Sequence, residues 1–199
     1  MAISLGAVFI TGANRGLGLE MVKQLIGNEK NFIFAACRNP AKASQLNEMA
    51  TANKNLAVLE MDVVNDEQIK QAVKSVGDKL GYLNVLINNA GILETREELK
   101  DVDRSNVNHH FNVNATSVLM ISQQFRSLLV KGKEKSGKNS LIVNVGSEMG
   151  SITNTTTKTY AYRLSKTACH MATKCLNNEL APEGINCVAI HPVRSTLNR

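Results

Sequence analysis

The sequence is short of the residues on which several protein classes depend. Proline occurs three times in 199 residues and no segment is of low complexity, which excludes fibrous and disordered chains. Aromatic residues make up only 4%, poor stock for stacking on nucleic-acid bases. No apolar run reaches the length of about 18 residues that reads as a membrane helix. The opening MAISLGAVFITG breaks into a glycine turn too early for a secretory signal. The four cysteines, Cys37, Cys169, Cys175 and Cys187, show neither metal-ligand spacing nor a disulfide framework. Reduced, mostly buried thiols and a cytoplasmic location are therefore expected. His109, His110, His170 and His191 also lack metal-ligand spacing and read as structural or exposed.

Acidic residues are outnumbered by Lys and Arg, 17 to 23, giving a formal charge of +6. The positive charges are scattered, which fits a solvated surface or a preference for an anionic cofactor and excludes a nucleic-acid-binding stripe. The densest basic stretch, 131–138, carries Gly132, Ser136 and Gly137 and reads as an exposed loop.

What is present is an alternating pattern. Short runs rich in Val, Ile and Leu at 7–10, 32–36, 57–61, 85–87, 141–145 and 187–190 are candidate strands. Each run is nearly continuous, as expected of parallel strands covered on both faces by helices. Between them, 18–27, 66–80, 110–130 and 162–180 repeat apolar residues at helical spacing, as with Leu19, Val22, Leu25 and Ile26. The class expected is α/β: a Rossmann-like, doubly wound parallel sheet of six strands in one domain spanning 1–199.

The first strand runs into Thr11-Gly12-Ala13-Asn14-Arg15-Gly16-Leu17-Gly18 and then a helix. Glycine at such a turn lets a phosphate reach the backbone N–H groups of the helix N-terminus. A free ribose 2′-hydroxyl is usually met by an acid at the end of the second strand. Here that strand ends Ala36-Cys37-Arg38-Asn39, and Arg38 offers a planar fork suited to a 2′-phosphate, with Arg15 as a second candidate. NADP is thus favoured over NAD. The third strand ends at Asp62-Val63 and the fourth runs into Asn88-Asn89-Ala90-Gly91, placing polar groups at strand C-termini, where open sheets bind ligands.

Together with Asn114, Ser147 and Tyr162-Arg163-Leu164-Ser165-Lys166, these motifs make the sequence resemble the short-chain dehydrogenase/reductase family, in its carbonyl-reductase-like branch. The resemblance runs from the N-terminus to about Pro192 and implies NADPH-dependent reduction of a small carbonyl compound. The residue types suit that chemistry. A phenol, with an ordinary pKa near 10, is a poor proton donor or base unless a neighbour tunes it. Lys166 stands four residues after Tyr162 on one helix face, where its charge favours the phenolate. Tyr160 has Leu164 at that spacing and so no lysine partner. Ser147 can hydrogen-bond the substrate oxygen. By the resemblance, Asn114 holds a water in a proton relay to the lysine, and Tyr162, Lys166 and Pro192 also border the cofactor. Gly12, Asn14, Arg15, Gly16, Leu17, Gly18, Arg38, Asp62, Val63, Asn89, Ala90 and Gly91 complete the expected cofactor set. Dimerisation through the helices at 110–130 and 162–180 is typical of the family.

The sequence departs from the family at its end. Val193 follows Pro192 where glycine is usual, Thr196 is not securely the family threonine, and the chain stops at Arg199 without a substrate-covering segment or seventh strand. A shortened form is therefore expected, with its sixth strand an exposed apolar edge and its site more open to water. The competing reading is a protein that binds cofactor, turns over weakly and acts through protein interactions.

Overall fold

Each apolar run does form a strand in the computed structural model, which describes residues 4–94 and 96–192. The strands are β1 (Ala7–Thr11), β2 (Phe32–Cys37), β3 (Leu56–Glu60), β4 (Val85–Asn88), β5 (Ser140–Val145) and β6 (Ile185–Ile190). All pair in parallel, in the order β3-β2-β1-β4-β5-β6. The order reverses between β1 and β4, where Val8 pairs with Val85 and Ile10 with Ile87. Loops leaving these two strands part in opposite directions and open a crevice above their carboxyl ends.

Alternation along β1 divides the core into two layers. Val8 and Ile10 face Leu19, Val22 and Leu25 of α1 (Gly16–Ile26) and Leu46 of α2 (Ser44–Ala52). Ala7 and Phe9 face Ile69 and Val76 of α3 (Asp66–Lys79) and Ile121, Phe125 and Leu129 of α5 (Ser117–Ser136). The rings of Phe9 and Phe125 lie 4.6 Å apart at the centre of this second layer. The remaining helices are α4 (Arg104–Phe111) and α6 (Tyr160–Leu180).

Three expectations need correction. Burial on both faces fails in β5 and β6, whose exposure alternates. Ile142, Ile185 and Cys187 join the second core layer, but the opposite row, where Val143 pairs with Val188 and Val145 with Ile190, is partly open among the described residues. The helix expected over 110–130 is divided: α4 runs into a π-helical turn, Asn112–Thr116, before α5 begins. The basic stretch at 131–138 is mostly helix rather than loop. Its buried Gly132 lets α5 pack on the Leu83 carbonyl, and the helix ends only at Gly137, in the left-handed conformation that glycine adopts without strain.

Two glycines in helices make opposite predictions. A methyl group at Gly132 would overlap the Leu83 carbonyl, whereas at Gly77 it would meet nothing nearer than Leu128 Cδ2 at 4.0 Å. Gly132→Ala is expected to cost about 1–3 kcal/mol or more. Gly77→Ala is expected to gain about 0.5–1 kcal/mol by removing backbone freedom from the unfolded chain. Thermal melting followed by circular dichroism should move the two variants in opposite directions; shifts of the same sign would contradict the packing described.

Candidate active site

The crevice above β1 and β4 is a cleft of about 570 Å³, bordered by Gly12, Asn14, Arg15, Gly16, Arg38, Asp62, Val63, Asn89, Ala90 and Gly91 among others. The loops after β1 and β4 are sewn together at its floor. Thr11 Oγ1 accepts hydrogen bonds from the Asn89 and Ala90 N–H groups at 3.0 and 2.9 Å. Asn89 Nδ2 donates to the Thr11 and Gly12 carbonyls at 2.9 and 3.2 Å. Gly18 is needed for this closure, since a methyl there would overlap the Gly12 carbonyl. Gly16 serves differently: its φ of +54° is a conformation other residues adopt at a cost, and a side chain there would stand in open space over the cleft.

The helix N-terminus at this turn is electrically unsatisfied. Asn65 caps α3 by accepting from the Glu67 and Gln68 N–H groups, and Asp103 caps α4 by accepting from that of Asn106. In contrast, α1 has no side-chain cap and no acid in its first turn. Its free N–H groups and positive dipole end make a place for an anion. Arg15 and Arg38 stand at the same cleft with Lys42, which the sequence reading missed. Lys42 ends the short 3₁₀ turn Pro40–Lys42, and Pro40 directly after Asn39 was the available signal for a turn folding back there. Among the described residues, none of the three pairs with a carboxylate. An anion-accepting helix end with unpaired cations beside it fits a nucleotide bearing an extra phosphate. Glu94, His109 and Val113, also missed, border the cleft too.

The proton-transfer candidates meet next to it. Lys166 is only 4% exposed, and its Nζ donates to the Val145 carbonyl at 2.7 Å. Burial pushes its pKa below the usual lysine value. The Tyr162 ring, one turn earlier on α6, is centred 5.8 Å from this nitrogen. Asn114 is 1% exposed and sits in the π turn. Its amide accepts from the Ile92 N–H and donates to the Ile92 carbonyl and Ser165 Oγ, tying the segment after β4 to α6. A methyl at Gly91 would lie 3.1 Å from Asn114 Oδ1 and 3.5 Å from Lys166 Nζ, so both side chains converge on a glycine that also borders the cleft. Ser147 follows β5, its Oγ accepting from the Met149 N–H at 3.1 Å and its own N–H donating to His170 Nε2 at 3.3 Å.

The structure thus brings together most of the expected residues. Leu17 and Gly18, on α1, and Asn114, Ser147, Tyr162 and Lys166 are not among the residues lining the cleft; of these, Asn114 and Lys166 approach it at Gly91. Pro192 follows β6 at the same edge of the sheet; Val193 and Thr196 lie outside the described residues. Glu97 is a further residue the sequence did not reveal. Only 8% exposed, it reaches from the loop after β4 to the start of α6, where its Oε1 accepts from the Ala161 N–H at 2.6 Å and its carbonyl from the Thr159 N–H at 2.9 Å. Lys158 and Thr159, which lead into α6, both have positive φ (69° and 60°), a strained conformation for side-chain-bearing residues. Glu97 therefore anchors a strained helix entry two turns or less from Tyr162 and Lys166.

The family model of short chain dehydrogenases matches residues 6–196. An uncharacterized oxidoreductase of Schizosaccharomyces pombe is 31% identical over 201 residues, covering 100% of this chain and 78% of that protein. Among solved structures, NADPH-bound carbonyl reductase from chicken fatty liver superposes with a TM-score of 0.89 at 32% identity, over 96% of this chain and 80% of the other. The carbonyl reductase Sniffer of D. melanogaster does so with a TM-score of 0.90 at 34% identity, over 94% and 80%.

Removing the Glu97 anchor tests the local energetics. Glu97→Ala strands the buried Ala161 N–H, while the backbone carbonyl that holds the Thr159 N–H stays, and is expected to cost about 1–3 kcal/mol. Glu97→Gln keeps an acceptor and should recover a large part of this in denaturant unfolding. Equal stability of Glu97→Ala and the unmodified chain would show that the anchor does not hold the helix entry.

Proposed function

The chain belongs to the short chain dehydrogenase family, and from that premise we propose that it reduces a small carbonyl compound with NADPH, as one Rossmann-type domain. The observation that carries this reading is the meeting of Asn114 and Lys166 at Gly91, which joins a buried proton-transfer group to the cleft. The uncapped start of α1 and the unpaired cations Arg15, Arg38 and Lys42 support NADP over NAD. Carbonyl reductase relatives, one of them with NADPH bound, support the same choice.

In this reading Gly12, Asn14, Gly16, Leu17 and Gly18 form the diphosphate turn, with Arg15 and Arg38 meeting the 2′-phosphate. Asp62, Val63, Asn89, Ala90, Gly91 and Pro192 border the rest of the nucleotide together with Tyr162 and Lys166. When bound, NADPH supplies a hydride to the carbonyl carbon. Tyr162 gives its hydroxyl proton to the carbonyl oxygen as that oxygen gains charge. The Ser147 hydroxyl accepts from the Met149 N–H and so keeps its own proton to donate to the same oxygen. Lys166, fixed by the Val145 carbonyl, places its ammonium 5.8 Å from the centre of the Tyr162 ring, beside the negative charge that develops there as the proton leaves. Its lowered pKa makes its proton easier to pass on, which suits a relay through a water held at Asn114.

Two substitutions test this reading through the absorbance of NADPH. Tyr162→Phe is expected to lower turnover of a simple dicarbonyl or quinone about 10²- to 10⁴-fold with little change in NADPH affinity. Arg38→Ala should weaken NADPH binding about 10- to 100-fold while leaving NADH binding nearly unchanged. Equal turnover by Tyr162→Phe and the unmodified chain would favour the competing reading of a cofactor-binding interaction protein.

A further inference from the structure

His170 lies outside the proposed proton-transfer group, yet its ring is built into the turn that carries Ser147. The turn, Gly146 to Ser151, lies along α6 and is held there by side chains on one helix face. Arg163 Nη1 donates to the Met149 carbonyl at 3.4 Å, and Thr167 Oγ1 donates to the Gly150 carbonyl at 3.0 Å. His170, one turn further along, accepts the Ser147 N–H on Nε2 at 3.3 Å. The ring fits a slot between two glycines: a methyl at Gly146 would lie 2.5 Å from Nε2, and one at Gly150 would lie 2.8 Å from Cε1. Neither glycine has a positive φ; at Gly146 the imidazole occupies the space a side chain would take, and at Gly150 the imidazole shares it with the α6 backbone at Lys166 and Thr167.

An imidazole that accepts on Nε2 must be neutral and carry its proton on Nδ1. We infer that His170 is a positioning residue for Ser147: its neutral ring holds the serine turn against α6, and protonation releases that turn. This rests on the proposed role of Ser147. A charged ring would aim an N–H at the Ser147 N–H, losing the bond and setting two donors against each other. The titratable groups facing the ring are Lys166 on α6 and, from the end of β6, His191, whose Nε2 is 3.9 Å from Glu148 Oε2. Burial first, then the Lys166 charge, lowers the His170 pKa, with a hydrogen bond to the Gly150 backbone opposing them. The ring is thus neutral at neutral pH, and the turn is released only in more acidic solution than an ordinary histidine would require.

Amide resonances of the ¹⁵N-labelled chain followed from neutral to acidic pH, with turnover measured over the same range, test this. The Ser147 amide is expected to titrate with the midpoint of the His170 ring, and this titration should vanish in His170→Gln, whose amide oxygen can accept but does not ionise. His170→Leu should lower turnover about tenfold with NADPH affinity unchanged, while His170→Gln recovers most of the loss and no longer shows the acidic fall in rate. A Ser147 amide that ignores the His170 titration overturns the inference, as does His170→Leu with unchanged turnover and pH profile. If the unmodified chain reduces no carbonyl, the proposed function fails, and the amide titration still decides whether His170 holds the serine turn.

Discussion

Keeping a lysine ammonium almost out of water at the carboxyl end of the sheet is the constraint around which this site is arranged. Removing charge from water is costly, and here the cost is visible as a pKa pulled down by burial. The compensation is local: the Val145 carbonyl accepts directly, and Asn114 stands at the same glycine. In that arrangement a side chain at Gly91 would press on Asn114, the π turn carries Asn114 to its place, and α6 begins where Glu97 anchors it. A buried charge with so much structure committed to it is retained for chemistry more readily than for stability.

The second organising element is the contrast between helix ends. Side chains cap α3 and α4, whereas α1, like α2, has no such cap, and the start of α1 lies at the cleft beside unpaired cations. Part of the +6 net charge is therefore focused at the cleft, where an anionic cofactor gains from it. The open row of Val143, Val145, Val188 and Ile190 lies on the face of β5 and β6 away from the second core layer, so the α1 side of the sheet is incompletely covered in the described residues.

Much of this was legible in the sequence because it depends on local rules. The strands announce themselves as β-branched runs, the glycine turn sits where a strand meets a helix, and Tyr162 and Lys166 share a helix face by spacing alone. What was not legible depends on tertiary contact. Helices α2 and α4 are short, nine and eight residues, and fully bury one residue each, Leu46 and His110, so neither carries a long apolar stripe. The end of α5 was mistaken for a loop because glycine and serine usually mark one, and only the approach to Leu83 shows why Gly132 belongs in a helix. Glu97 and His170 act across 64 and 23 residues of sequence, on backbone groups that carry no side-chain signature. Lys42 needed the Pro40 turn to bring it to the cleft.

The central claim is that the buried ammonium drives the proposed proton transfer. Turnover of Lys166→Met, on protein whose melting curve shows it folded, tests this most directly. Methionine fills similar volume without charge, so the account predicts a loss of about 10²- to 10⁴-fold at a melting temperature equal to or above that of the unmodified chain. Turnover within about twofold, a barrier change under half a kcal/mol, would contradict it.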